Sequence, residues 1–132
     1  MSFQCTVVTP EAEAFNASVS QAILPAHDGL LGILTDRSPL LVKLGTGPLR
    51  LDTVAGPKQY FFLDGGIAQM KDNKLTILTP TATPASELSA ETARAEYAEA
   101  LARIPTDKRS AEDRQRQLKR AQAKQQTLAT AR

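Results

Sequence analysis

The spacing of apolar residues in this chain changes once, around Pro80 and Pro84, and this change limits the fold more than any other feature. Before it, apolar residues form short runs that Gly, Pro, Asp and Asn interrupt, which is typical of β-strands. After it, apolar residues recur at the spacing of an amphipathic helix. We therefore predict a β-sandwich domain over residues 1–86 and a two-helix hairpin over residues 87–132.

The first part of the chain consists of short segments rich in β-branched and apolar residues. In one of them Leu49 and Leu51 alternate with charged residues, as in a strand with one buried face. Residues 71–74, Lys-Asp-Asn-Lys, predict a tight hairpin turn between two segments. Many short strands with frequent turns indicate a sandwich or a barrel. The predicted strands lie in FQCTVV, VSQAIL, ILTD, PLLVKL, LRLDTV, YFFLD, IAQM and LTILT.

The second part predicts two helices, which Pro105 separates. Ser86 or Ser89 is suited to cap the first helix, because a serine hydroxyl accepts a hydrogen bond from the free N–H groups of the first turn. Ser110 is suited to cap the second helix in the same way. The apolar face predicted for the first helix comprises Ala93, Tyr97, Ala100, Leu101 and Ile104.

The second helix is poor in large apolar residues. Its apolar stripe contains two leucines, and burying a leucine contributes about 1.5–3 kcal/mol. Ordering the backbone costs about 1–2 kcal/mol per residue, so two leucines offset little of that cost. We therefore predict that this helix docks weakly. The stripe comprises Ala111, Leu118, Ala121 and Leu128.

Charge is distributed unevenly between the two parts. Residues 1–87 carry six basic and eight acidic side chains, whereas residues 88–132 carry ten basic and six acidic ones. From Ser110 onwards there are six basic and two acidic side chains. A weakly docked cationic helix is suited to binding an acidic surface elsewhere.

Composition indicates the compartment. Cys5 is the only cysteine, so the chain forms no internal disulfide, and its place between Phe3 and Val7 predicts a buried apolar residue. The N-terminus lacks the pattern of a signal peptide. No run approaches the roughly 18–20 apolar residues of a membrane span. We expect a soluble protein in the cytoplasm or an equivalent reducing compartment.

The sequence offers no catalytic or metal-binding constellation. His27 is the only histidine, and no serine or cysteine nucleophile accompanies it. The carboxylates do not have the spacing of metal ligands. The basic segment 114–124 lacks the interleaved aromatic residues of many nucleic-acid-binding segments, and a solvated helix face explains it better. We expect no enzyme activity, no metal and no nucleic-acid partner.

The stretch GLLG at residues 29–32 combines turn-forming glycines with two large apolar residues. It admits three interpretations: a short core strand, a phosphate-binding glycine loop, or an exposed apolar contact. The phosphate loop is disfavoured because its filling is Leu-Leu and a strand follows it. A core strand that begins at Leu31 and an exposed contact both remain open from the residues.

With these features together, the chain resembles the epsilon subunit of bacterial F-type ATP synthase. Two stretches carry the resemblance, ILPAHDGLLGILTDRSPLLVKLGTGPLR (23–50) and YFFLDGGIAQMKDNKLTILTPTA (60–82), and a helical hairpin follows them. The resemblance implies a sandwich of about ten strands and two C-terminal helices. It also implies a non-catalytic rotor subunit beside the gamma subunit and the c-ring, at the cytoplasmic face of the membrane. Such subunits couple proton flow to ATP synthesis, and many restrain ATP hydrolysis when the hairpin extends.

The resemblance further assigns contacts to individual residues. The loop of Asp28, Gly29, Leu30 and Leu31 matches the c-ring contact, although many relatives have an acidic residue where this chain has Leu30. Arg37 and Ser38 replace the His-Ala that contacts gamma in relatives. The second helix matches the segment that inhibits hydrolysis next to acidic parts of the beta subunits. The cations expected to make that contact are Arg114, Arg116, Lys119, Arg120 and Lys124.

Some relatives bind ATP on the hairpin, and this chain retains part of their motif in AETARA. Glu91 stands in place of an aspartate, while Arg94 and Ala95 are kept. ATP is therefore expected as a weak regulatory ligand at these three residues, and no cofactor is expected to be required. Two other interpretations of the chain remain open, a stand-alone ATP-sensing module and a basic nucleic-acid-binding accessory domain.

Overall fold

A computed structural model describes residues 2–35 and 38–130 of the chain. Within these residues, nine strands precede two α-helices. The predicted fold class, a β-sandwich followed by a helical hairpin, is therefore confirmed. The strands are β1 (Phe3–Val8), β2 (Glu13–Ala26), β3 (Gly29–Leu34), β4 (Leu40–Lys43), β5 (Thr46–Thr53), β6 (Gln59–Asp64), β7 (Ile67–Lys71), β8 (Lys74–Leu78) and β9 (Ala82–Pro84).

A single long strand accounts for the difference between about ten predicted strands and nine observed ones. β2 runs for 14 residues. Its first half, up to Val19, pairs with β1, whereas its second half pairs with β3 from Gln21 onwards and with β5 on both sides of Ser20, through Val19 and Gln21. The register with β5 shifts between these two residues, so Ser20 forms a bulge. Because a bulge bends a strand, β2 takes part in both layers of the sandwich.

The two layers enclose one core. One layer contains β4, β7, β8, β1 and the first half of β2, and the other contains its second half with β3, β5, β6 and β9. Side chains from alternate positions of both layers form a single apolar cluster. Cys5 is fully buried in it, as predicted. Burial raises the pKa of the Cys5 thiol to about 12, so this thiol stays protonated and unreactive at neutral pH.

Two turns depend on special backbone conformations. Asp72 and Asn73 have φ values of 52° and 60° and join β7 to β8, which confirms the predicted hairpin turn. Gly66 precedes β7 and has a φ of 114°. A Cβ atom at Gly66 would lie 2.2 Å from the carbonyl oxygen of Leu78, so no other residue fits there.

The first helix, α1 (Ala90–Ala102), follows a short 3-10 turn at Ala85–Glu87. The hydroxyl of Ser89 accepts a hydrogen bond from the N–H of Thr92 at 3.2 Å, so Ser89 is the cap and the alternative Ser86 is not. The chain then leaves helical geometry at Arg103, before the predicted break at Pro105.

The apolar face predicted for α1 is partly wrong. Ala93 and Ala100 are buried and Tyr97 is half-buried, as expected of such a face. Leu101 is exposed, and Ile104 is 86% exposed. Ile104 lies beyond the helix end at Ala102, so helical spacing does not apply to it. Small residues, rather than large apolar ones, therefore form the buried face of α1.

The predicted cap of the second helix is wrong as well. This helix, α2, runs over Lys108–Thr130 and begins before Ser110. A carboxylate oxygen of Asp107 accepts a hydrogen bond from the N–H of Ser110 at 2.8 Å, and the Ser110 hydroxyl accepts one from the N–H of Asp107 at 3.1 Å. This reciprocal pair is a capping box with Asp107 as the cap. The same N–H is the main reason why the pKa of Asp107 is lowered.

Candidate interaction surfaces

The turn between β2 and β3 forms an exposed tip that contains Asp28 and Gly29. Gly29 has a φ of 137°, a conformation that strains residues with a side chain. The N–H of His27 donates to the carbonyl of Lys43 at 2.9 Å and ties the tip to the end of β4. This hydrogen bond therefore fixes the position of the tip relative to the sandwich.

The two leucines of GLLG lie on opposite sides of β3, because side chains alternate along a strand. Leu30 is 66% exposed, whereas Leu31 is half-buried and packs against the core. Leu31 therefore belongs to a core strand, and Leu30 is the exposed residue of the pair. Leu34, on the same side as Leu30, is 58% exposed. The exposed apolar strip thus continues along β3, beyond the residues predicted from sequence.

A second surface lies on the outer side of β1, β4, β7 and β8, and we call it the open face. Ser38, predicted to contact gamma, is exposed next to it, while Arg37 lies outside the described residues. Leu41 is 68% exposed, and Ile67 pairs with Leu78, both of them exposed. The four strands contain lysines but no carboxylate. The open face therefore combines exposed apolar side chains with positive charge.

The helices pack on the outer side of the other layer. In β6, Phe61 and Leu63 belong to the core, so Phe62 between them points outwards, opposite Pro48 of β5. Phe62 is nevertheless fully buried. Helix α2 contacts β5 and β6, and the Nζ atom of Lys124 lies 5.6 Å from the centre of the Phe62 ring. The hairpin therefore covers Phe62 from outside.

The contact of α2 with the sandwich uses small side chains. Ala121, Ala123 and Thr127 are its buried residues, and all lie in its second half. The hydroxyl of Thr127 donates to the carbonyl of Ala123 at 2.8 Å, which satisfies a buried polar group. Within the described chain, no helix residue belongs to the sandwich core. Of the predicted stripe, Ala121 is buried; the half-buried members are Ala111, Leu118 and Leu128.

Two ion pairs flank Phe62. The Nε atom of Arg120 lies 2.8 Å from a carboxylate oxygen of Asp64 in β6, without the alignment of a hydrogen bond. Lys124 donates to both carboxylate oxygens of Glu96 in α1, at 3.0 and 3.3 Å. All four side chains keep partial solvent exposure, so each pair contributes about 0–1 kcal/mol. The contact of Lys124 with the ring adds about 0.5–2 kcal/mol.

The remaining cations predicted to inhibit hydrolysis have weaker internal contacts. Arg114 donates to the carbonyl of Leu101 at 3.1 Å, which joins the two helices. Arg116 lies 3.4 Å from Asp113 in an exposed pair. Lys119 is exposed. Arg120 and Lys124 are thus the cations of this predicted set that form ion pairs between elements.

The residues of the expected ATP contact share one exposed face of α1. Glu91, Arg94 and Ala95 are spaced three and four residues apart and are all exposed. The clefts beside α1 are lined by other residues, including Glu96, Thr92 and Lys124. The structure therefore brings the three residues together on the exposed surface of α1, outside these clefts.

The described part of the chain offers no group of three or more His, Cys, Asp or Glu side chains that would hold a metal ion. Neither of its helices is long and apolar enough to cross a membrane. His27 is exposed in the turn after β2.

The sequence pattern alone does not identify several residues of these surfaces. The exposure of Leu34 follows from counting in twos from Leu30, once the strand is known to begin at Gly29. Phe62 and Asp64 lie in a segment predicted as a strand, but its pattern does not reveal that a helix covers its outer side. The position of this helix depends on packing between residues that are far apart in the sequence.

The known proteins that are similar to this chain in sequence point to a single family. The chain matches the family described as "ATP synthase, Delta/Epsilon chain, beta-sandwich domain" over residues 2–85. It is 44% identical over 101 residues to the ATP synthase epsilon chain of Rhodopirellula baltica, which covers 76% of this chain and 78% of the relative. It is 36% identical over 124 residues to that of Nostoc punctiforme, with coverages of 93% and 89%.

Similarity to a solved structure extends over the helices. The chain superimposes on a chain of the Euglena gracilis mitochondrial ATP synthase, in a structure containing OSCP, F1 and the c-ring, with a TM-score of 0.86. The identity is 20%, and the match covers 98% of this chain and 81% of the other. This similarity supports the fold, and the sequence matches support the family. The resemblance to a bacterial epsilon subunit is thus confirmed, and the chain belongs to the family of ATP synthase epsilon chains.

Proposed function

We propose that the chain is a non-catalytic subunit in the rotor stalk of an F-type ATP synthase. There it couples proton-driven rotation of the c-ring to ATP synthesis in the catalytic head, and its hairpin restrains ATP hydrolysis. The observation that carries this proposal is the separation of a sandwich with its own core from a hairpin that packs on its outside. A rigid body suits the transmission of torque, whereas an external hairpin suits regulation.

The tip between β2 and β3 is the proposed contact with the c-ring. An exposed leucine beside a turn that is tied to β4 gives a fixed apolar contact point. Asp28 and Gly29 border Leu30 in this tip. The neighbouring Leu34 enlarges the contact along β3.

The open face, together with Arg37 and Ser38, is the proposed contact with gamma. Exposed Leu41, Ile67 and Leu78 provide apolar area, and the lysines of these strands favour a partner with carboxylates. Through these two contacts the chain would sit peripherally at the cytoplasmic face of the bacterial membrane, held there by the complex.

The cations of α2 are the proposed inhibitory contact with the beta subunits. Their charges would meet acidic segments of beta when the hairpin leaves the sandwich. Truncation of the chain after residue 86 tests this. We expect the truncated chain to co-purify with gamma and the c-ring and to support ATP synthesis, while ATP hydrolysis by the complex rises. An unchanged rate of hydrolysis would contradict the inhibitory role.

We also propose ATP as a weak regulatory ligand and not as a required cofactor. The support is the shared exposed face of Glu91, Arg94 and Ala95, where a guanidinium can meet a phosphate. Calorimetric titration of the isolated chain with ATP, beside an Arg94→Gln variant, tests this contact. Binding heat that Arg94→Gln does not reduce would place any ATP elsewhere on the chain.

A further inference from the structure

Arg120 and Lys124 are each assigned two contacts that cannot form at the same time. Both belong to the cations proposed to contact the beta subunits, and both form ion pairs inside the chain, with Asp64 and Glu96. The two uses exclude each other, because the Asp64–Arg120 pair forms only while α2 lies against β6, and the Glu96–Lys124 pair forms only while α1 and α2 lie side by side. A partner that recruits these cations must first displace the two internal carboxylates.

We propose that Asp64 and Glu96 form a latch that holds α2 on the sandwich by occupying the cations an acidic partner surface would use. The latch rests on the proposed inhibitory function for its role, but its existence is a property of the isolated chain. It has three parts: the Asp64–Arg120 pair, the Glu96–Lys124 pair, and the Phe62 ring beneath Lys124.

The position of the latch supports this role. The buried residues of α2 lie between Ala121 and Thr127, next to the two ion pairs. Earlier in α2, Arg114 donates to the carbonyl of Leu101 in α1. The second half of α2 is therefore the anchor of the hairpin, and both pairs lie on that anchor.

The two carboxylates act on different surfaces. Asp64 also accepts a hydrogen bond from the hydroxyl of Thr46 at 2.9 Å, which holds its carboxylate in place on the sandwich. Glu96 lies on α1, so its pair with Lys124 keeps the two helices together over the Phe62 ring. Loss of the Asp64 carboxylate would weaken the docking of the hairpin on the sheet, and loss of the Glu96 carboxylate would remove the ion pair that holds Lys124 over the ring.

The first test measures docking in the full isolated chain. Spin labels on cysteines introduced at the exposed positions Lys58 and Gln126 report the distance between the sandwich and α2 by pulsed EPR. The buried thiol of Cys5, whose pKa is raised, stays unlabelled. Asp64→Asn and Glu96→Gln remove one charge each, and the asparagine can still accept from Thr46.

We expect each variant to raise the ratio of undocked to docked chains about two- to fivefold, the effect of one partly exposed ion pair. The matched controls are Glu112→Gln, an exposed carboxylate in the first half of α2, and Asp72→Asn, an exposed carboxylate in the β7–β8 turn. They leave the ratio unchanged. High salt raises the ratio in the parent chain and has a smaller effect in the Asp64→Asn, Glu96→Gln double variant.

Unchanged distances in both variants, or equal changes in the controls, would overturn the latch. A second test measures ATP hydrolysis by the reconstituted complex, in which the double variant inhibits more strongly than the parent chain. Altered distances with unaltered hydrolysis would leave the latch standing and would count against the inhibitory function. The two failures are therefore distinguishable.

Discussion

Phe61 and Phe62 are neighbours in β6 whose side chains lie on opposite sides of the sheet. Phe61 packs in the sandwich core, and its ring centre lies 6.1 Å from that of Phe15. Phe62 is buried by the hairpin instead. The two phenylalanines thus pack in two different interfaces, because successive side chains of a strand point to opposite faces of the sheet.

Substitution of these two residues by alanine should have different consequences. Phe61→Ala lowers the free energy of unfolding of the sandwich by about 3–5 kcal/mol, because it leaves a cavity in the core. Phe62→Ala lowers the free energy of hairpin docking by about 1.5–3 kcal/mol and leaves the core packed. Amide NMR during urea denaturation follows both parts. Equal loss of sandwich stability in the two variants would contradict the assignment of Phe62 to the hairpin interface.

The leucines of the β2–β3 tip allow a similar comparison. Leu30→Ser changes the free energy of unfolding by less than about 0.5 kcal/mol, because the side chain is exposed, and weakens binding to the c-ring. Leu31→Ser destabilises the chain by about 0.5–3 kcal/mol, because Leu31 packs on the core. Thermal unfolding and binding to purified c-ring measure the two effects. Unchanged c-ring binding by Leu30→Ser would count against the contact at the tip.

Much of the residue-level pattern follows from the sequence, since alternation and turn chemistry are local. The core position of Cys5 and the turn at residues 71–74 are examples. Leu30 and Leu31 were not separable, because the start of β3 at Gly29 depends on its pairing with β2. The covering of Phe62 depends on where a distant helix packs.

At the scale of elements, the two helices show how local and long-range signals differ. Local chemistry limits the cap of α1 to Ser86 or Ser89 and predicts the break near Pro105, and the structure selects Ser89 as the cap. The start of α2 does not, because both Asp107 and Ser110 have side chains that cap helices and each accepts a backbone N–H in the structure. The sequence of α2 predicts a helix poor in large apolar residues, but of its predicted stripe Ala121 alone is buried. The burial of Ala123 and Thr127 depends on packing against β5 and β6, which lie far away in the sequence.

The start of α2 should depend on pH. Hydrogen bonds to the carboxylate lower the pKa of Asp107 from its usual 3.8, so its contribution to helix stability is complete above that value. It is lost as the pH falls through the lower folded-state pKa. We expect the first turn of α2 to loosen at that pH, and Asp107→Asn to remove this dependence. NMR titration of residues 107–111 measures this pH dependence, with Asp113→Asn as the control. A first turn whose NMR signals do not change over this pH range would contradict the prediction.

At the scale of the whole molecule, the chain consists of two parts with separate hydrophobic contacts. The sandwich closes its core with residues of its own strands, and the hairpin is held by small residues, Phe62 and partly exposed ion pairs. Because the second set of contacts is weaker, the hairpin can open while the sandwich stays folded. This difference in stability would suit the proposed combination of a rotor body and a regulatory arm in one chain.

Native-state hydrogen exchange of the full chain under increasing denaturant tests this account most directly. We predict that the amides of α1 and α2 exchange through an opening of lower free energy and smaller denaturant dependence than the global unfolding that the core strands report. If the helices and the core strands instead exchange through one common opening, the hairpin and the sandwich form a single cooperative unit, and the proposed division between rotor body and regulatory arm is wrong.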